Sequence, residues 1–149
     1  MKNYQKIHIW DLPTDKVYIK FNKAFSERFF GLAHQKFGTY KLIGEFLNVK
    51  RGDTTIAKNW KKGEVCYPLN TIVKLSGEIG IFKHELEGNI VEIKYKTNIK
   101  KRGGAGGKSI INPKLPIIVN EDFAEMLGHL CGDGTLSTTK PHKGLKFAY

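Results

Sequence analysis

The stretch Glu121–Gly134, EDFAEMLGHLCGDG, decides how the chain divides. Asn120 before it suits an N-cap, and Glu121 and Asp122 suit the positive end of a helix. Phe123, Leu127 and Leu130 recur at i, i+4 and i+7 and make one apolar face. Ala124, Gly128 and Gly132 make a second face that is almost bare of side chains. Each glycine inside a helix costs about 1 kcal/mol against alanine, a loss accepted where another backbone must come close. Asp133 falls at the C-terminal end, where a carboxylate meets the negative pole of the helix and a bound cation would reverse the repulsion. The pattern predicts one half of a helix pair that holds a metal.

Met126-Leu-Gly-His-Leu-Cys-Gly-Asp-Gly134 resembles the nine-residue motif of the LAGLIDADG homing endonucleases. Gly128, Leu130, Gly132, Asp133 and Gly134 fall on its characteristic positions, and Met126 replaces its first leucine. The resemblance implies that Ala124, Gly128 and Gly132 form the interface with a second such helix, from a missing segment or another chain. It also implies that Asp133 is the catalytic residue and the ligand of the divalent metal, Mg²⁺, that hydrolyses DNA. The alternative reading of Asp133-Gly134 is a plain helix end with Gly134 in the left-handed region.

The 149 residues allow one or two small domains. A formal charge of +11 favours a polyanionic partner, most simply nucleic acid. Cys66 and Cys131 have no CxxC spacing, so neither a zinc site nor a disulfide framework is indicated. His8, His34, His84, His129 and His142 show no ligand spacing either. The N-terminus lacks an apolar run of signal-peptide type and no stretch is long enough to span a bilayer, so a soluble, cytoplasmic protein without a membrane partner is expected.

Residues 1–24 hold short alternations, Ile7, Ile9 and Trp10, then Val17, Ile19 and Phe21, which suit either two short strands or an extended arm. From Phe25 the period turns helical. Phe25, Phe29, Leu32, Ala33 and Phe37 predict a first helix ended by Gly38. Thr39 suits the cap of a second, bearing Leu42, Ile43, Phe46 and Leu47 and stopping at Asn48. Asp53 suits the cap of a third, with Ile56 and Trp60 inward and Gly63 as its stop. Pro68 suits the first turn of a fourth, carrying Leu69, Ile72, Val73, Leu75 and Ile79.

Residues 43–63 are similar to a helix-turn-helix of the phage-repressor type. Gly44 takes the small position where the two helices cross, and Asn48 takes the turn position that wants left-handed geometry. Lys50-Arg-Gly-Asp53 makes the turn about two residues longer than is usual in that family. With Ile56 and Trp60 inward, Thr54, Thr55, Lys58, Asn59 and Lys62 are expected outward, facing phosphates and base edges of a major groove. Asn59 suits adenine, and Lys50, Arg51 and Lys61 suit phosphates. A helical bundle with a merely solvated basic face is the competing reading.

NIVEIKYK, residues 89–96, alternates as a half-buried strand. Beyond it, residues 94–114 hold seven Lys or Arg and no acid, with five glycines or prolines, which reads as a flexible cationic linker lying along a phosphate backbone through Lys100, Lys101 and Arg102. Within it, Arg102-Gly-Gly-Ala-Gly-Gly-Lys108-Ser109 imitates a phosphate-binding loop, but its first glycine is replaced by Arg102. Pro113 and Pro116 forbid the helix that should follow, so no nucleotide is expected. Thr135 to Gly144 reads as a polar loop, and Leu145 as the start of a strand.

The expected fold class is α+β: an unassigned arm (1–24), an all-α helix-turn-helix bundle with a following strand (25–96), a basic Gly-rich linker (97–114), and the start of an αββαββα LAGLIDADG domain (115–149). The expected function is that of a double-stranded-DNA-binding protein of that endonuclease family, here as an inactive fragment because one motif cannot close a metal site that needs two. The alternative is a helix-turn-helix transcriptional regulator without nuclease activity.

Overall fold

The alternation Val17, Ile19, Phe21 forms a strand, and it lies at the heart of the larger of two units. The computed structural model describes residues 4–95, 109–125, 134–136 and 145–147. One unit comprises His8–Leu115, the other Met1–Ile7 together with Pro116–Tyr149.

In the His8–Leu115 unit, β2 (Val17–Phe21) lies between β3 (Tyr67–Pro68) and β4 (Ile90–Tyr95), and β5 (Ser109–Ile111) pairs outside β4. All pairings are antiparallel. The helices are α1 (Lys23–Phe37), α2 (Tyr40–Leu47), α3 (Gly52–Thr54), α4 (Leu69–Ile79) and α5 (Lys83–Gly88), with α3 running on as a π-helical segment, Thr55–Trp60. The α+β class therefore stands, but the expectation of an all-α bundle over 25–96 is corrected. Val17, Ile19, Phe21, Tyr67, Ile90 and Ile93 bury one face of the sheet among Phe25, Phe29 and Phe30 of α1. The sheet face and the helices thus share one core, which also takes in Ile43, Ile56, Leu69, Ile72 and Leu75.

The alternation of residues 90–95 breaks for a physical reason. Ile19 pairs with Ile93 and Lys20 with Glu92, but Phe21 pairs with Ile90. Val91 is thus the extra residue of a β-bulge, and the bulge turns both Ile90 and Ile93 toward the core. On the other row Glu92 accepts ion pairs from Lys20 at 2.6 Å and Lys94 at 3.2 Å, and a hydrogen bond from Ser109 Oγ at 2.9 Å.

Helix ends follow the sequence closely. Asn22 caps α1 by accepting from the Phe25 N–H at 2.9 Å, and Gly38 ends it at φ +80°. Thr39 caps α2 by accepting from the Leu42 N–H at 3.2 Å. Pro68 differs: it closes β3 and stands as the cap residue of α4 rather than inside its first turn.

In the other unit, β1 (Gln5–Ile7) pairs antiparallel with β6 (Ile117–Val119). The N-terminal segment is thus divided between two units rather than forming one arm. Asn120 caps a helix that begins at residue 121, accepting from the Phe123 N–H at 3.0 Å. β7 (Gly134–Leu136) pairs antiparallel with β8 (Leu145–Phe147). Thr135 and Leu136 therefore belong to a strand and not to the expected loop. Ser109–Ile111 likewise replaces the end of the expected linker by a short strand. Lys100, Lys101, Arg102, Gly128, Gly132 and Asp133 lie outside the described residues.

Candidate nucleic-acid interface

Gly44 and Gly52 fix how α2 and α3 cross. A Cβ on Gly44 would lie 2.7 Å from the Gly52 Cα, and one on Gly52 would lie 2.6 Å from both the Gly44 Cα and the Tyr40 carbonyl oxygen. Real Cβ atoms do not approach backbone so closely, so both positions require glycine. The turn between the helices is set by Asn48, left-handed at φ 54° and ψ 36°, with the Val49 N–H donating to the Gly44 carbonyl at 2.8 Å. Asparagine is among the few non-glycine residues that enter this region readily. Arg51 is left-handed as well, at φ 54°, and helical geometry resumes at Gly52.

Gly44 and Asn48 thus take the places that the sequence assigned them. Asp53 does not: Arg51 is the cap residue of α3, and Asp53 stands exposed in its first turn. Leu42, one of the apolar residues of α2, is 47% exposed. Gly52 was missed as a packing residue because it sat inside the lengthened turn. Its signal was the eight-residue step from Gly44, since a second bare position is needed opposite the first.

The segment after the turn is anchored from behind. Ile56 and Trp60 are buried, and the Trp60 ring packs against Phe30 and Tyr67 at 6.0 and 5.8 Å between centroids. The Lys61 N–H donates to the Ile56 carbonyl at 2.9 Å, the five-residue step of a π-turn. A hydrogen-bond chain holds its end. The Phe21 N–H donates to Tyr67 Oη at 2.8 Å, and Ser26 Oγ donates to the Trp60 carbonyl at 2.7 Å. Tyr67 Oη and Ser26 Oγ are 3.3 Å apart, so the tyrosine hydroxyl supplies the joining hydrogen. Burial pushes the Tyr67 hydroxyl far above its ordinary pKa, so it remains a donor at all working pH values. The Gly63 N–H also reaches the Trp60 carbonyl, at 3.0 Å, and Gly63 turns the chain away at φ +66°.

The outer face of this segment carries the candidate residues. Lys50, Arg51, Thr54, Lys58, Asn59 and Lys62 are exposed. Thr55 is half-buried and its hydroxyl donates to the Lys50 carbonyl at 3.3 Å, so it supports the turn instead of facing outward. Lys61 is half-buried too, with its ammonium 5.9 Å from the centre of the Tyr40 ring, and Tyr40 in turn packs on His34 at 4.6 Å.

Charge is distributed unevenly. Lys20 and Lys94 pair with Glu92, Arg28 with Glu85, Lys36 with Glu78 and His8 with Glu87. Among the described residues no carboxylate pairs with Lys50, Arg51, Lys58 or Lys62. From Lys50 to Lys62 the chain has five cations and one acid, Asp53. Concentrated, unpaired positive charge on one surface attracts polyanions and steers their approach. Among the described residues no group of three or more His, Cys, Asp or Glu is arranged to hold a metal ion, and no helix is long and apolar enough to cross a membrane. The chain matches no protein-family model, no curated protein and no solved structure.

Proposed function

We propose that the protein binds double-stranded DNA through the segment Gly52–Trp60 and the turn before it, as a helix-turn-helix does. The Gly44–Gly52 crossing carries this reading. It sets α2 and α3 as close as backbones permit, while Ile56 and Trp60 fix the inner side of the reading segment. Thr54, Lys58 and Asn59 then face outward as a unit, with Lys50, Arg51 and Lys62 placed for phosphates. Lys61 serves this face through Tyr40, which it covers.

The LAGLIDADG resemblance adds a second reading, that this DNA-binding part serves an endonuclease in which Asp133 holds Mg²⁺ and Ala124, Gly128 and Gly132 meet a partner helix. One observation favours it: a capped helix beginning at residue 121 is followed by the antiparallel pair β7–β8, the helix-then-hairpin order that the resemblance implies. The first reading needs no metal.

Fluorescence anisotropy of a labelled random-sequence duplex, titrated with the full chain in the presence of a chelator, tests the binding. A dissociation constant on the order of 10⁻⁴–10⁻⁶ M near physiological salt is expected, tightening as salt falls. No binding even at low salt would overturn the proposal.

A further inference from the structure

Asp53 is the lone carboxylate in the cationic segment Lys50–Lys62, and it stands exposed in the first turn of α3, two residues after Arg51. A carboxylate in that place can cap the helix or pair with a neighbouring cation. Asp53 does neither among the described residues. α3 receives no side-chain cap, and the Thr54 and Thr55 N–H groups donate to the Arg51 carbonyl at 2.9 and 2.8 Å. The helix dipole favours a carboxylate there only modestly. A face that docks on phosphates penalises it.

The penalty is reversed where the carboxylate meets an amine. In the major groove, cytosine presents its N4 amine and no acceptor of its own, guanine and thymine present acceptors, and adenine sets its amine beside the N7 acceptor. Resting on the proposed duplex binding, we infer that Asp53 is a specificity-determining residue that accepts a hydrogen bond from cytosine N4 at one position of the site. It repels the bases that offer acceptors, so it lowers affinity for random DNA while raising selectivity.

Selection of bound sequences from a randomised duplex pool tests this, with the full chain as wild type, Asp53→Ala and Asp53→Asn, and with thermal midpoints recorded for each. The wild type should enrich cytosine at one position by on the order of tenfold. Asp53→Ala should lose that one preference, keep the others and bind random duplex more tightly. Asp53→Asn should move the preference to adenine, whose N6 and N7 an amide reads together. A folded Asp53→Ala protein with the wild-type preferences would overturn the inference and leave duplex binding intact, as would duplex binding without any sequence preference. Absence of duplex binding by the wild type would show instead that the underlying reading had failed, and the inference with it.

Discussion

Gly44 and Gly52 meet backbone to backbone, with room for no side chain on either: an added Cβ would lie within 2.7 Å of the opposite α-carbon. Replacing either glycine with alanine should therefore destabilise the protein. The gain of about 1 kcal/mol in helix propensity is outweighed by forcing two backbones apart, which costs about 1–3 kcal/mol or more. The two substitutions should not add, because the first already separates the helices and relieves the second. Urea unfolding of both single variants and the double variant measures this. Additive losses would mean that the two residues do not share one crossing point.

Gly77 in α4 is the control. Nothing lies within 4 Å of a Cβ placed there, and the residue is exposed. Gly77→Ala should raise stability by about 0.5–1 kcal/mol in the same unfolding experiment.

Tyr67→Phe removes the hydroxyl that joins the Phe21 N–H to Ser26 and, through it, to the Trp60 carbonyl. The ring still fills its place, but a buried N–H loses its acceptor, at a cost of about 1–3 kcal/mol. Hydrogen exchange should show faster opening of the Phe21 amide in the variant. Unchanged protection would place the chain of bonds outside the stability of the reading segment.

Glu92 gives a pH test. Its hydrogen bond from Lys20, opposed by burial and assisted by Ser109 and Lys94, holds its carboxyl down to about 2, against an ordinary 4.5. A depressed folded pKa contributes stability that is present in full above 4.5 and is lost as pH falls toward 2. Glu92→Gln should accordingly be less stable than wild type at pH 7, with the difference shrinking below 4.5. A difference that stays constant down to pH 2 would contradict the pairing.

Much of the helical part was legible because its signals are local. Gly38, Thr39, Asn48 and Asn120 each act on backbone groups within a few residues, so spacing alone identifies them. The sheet was harder. β3 is two residues long and β2 gains its meaning only from β4, some seventy positions later. The bulge at Val91 also falsifies a period-two reading of residues 90–95. At the candidate interface, Gly44 was legible as a small residue before a turn, but Gly52 acquires its role only from what faces it. Asp53 looked like a cap because caps and first-turn acids use the same residue type. Arg51 in the left-handed region gave no sequence signal, since arginine has no special liking for it. Residues 126–133 of the motif lie outside the described residues, so its resemblance rests on the sequence.

The salt dependence of duplex binding bears most directly on the proposed face. Log K against log salt should be linear, with a slope set by the number of phosphates neutralised. Lys58 and Lys62 are exposed, unpaired among the described residues and on the outer side of the segment anchored by Ile56 and Trp60. Changing both to alanine should flatten the slope by about one unit for each phosphate that is no longer neutralised, with the thermal midpoint unchanged. A double variant that keeps the wild-type slope would show that DNA, if bound, is bound elsewhere.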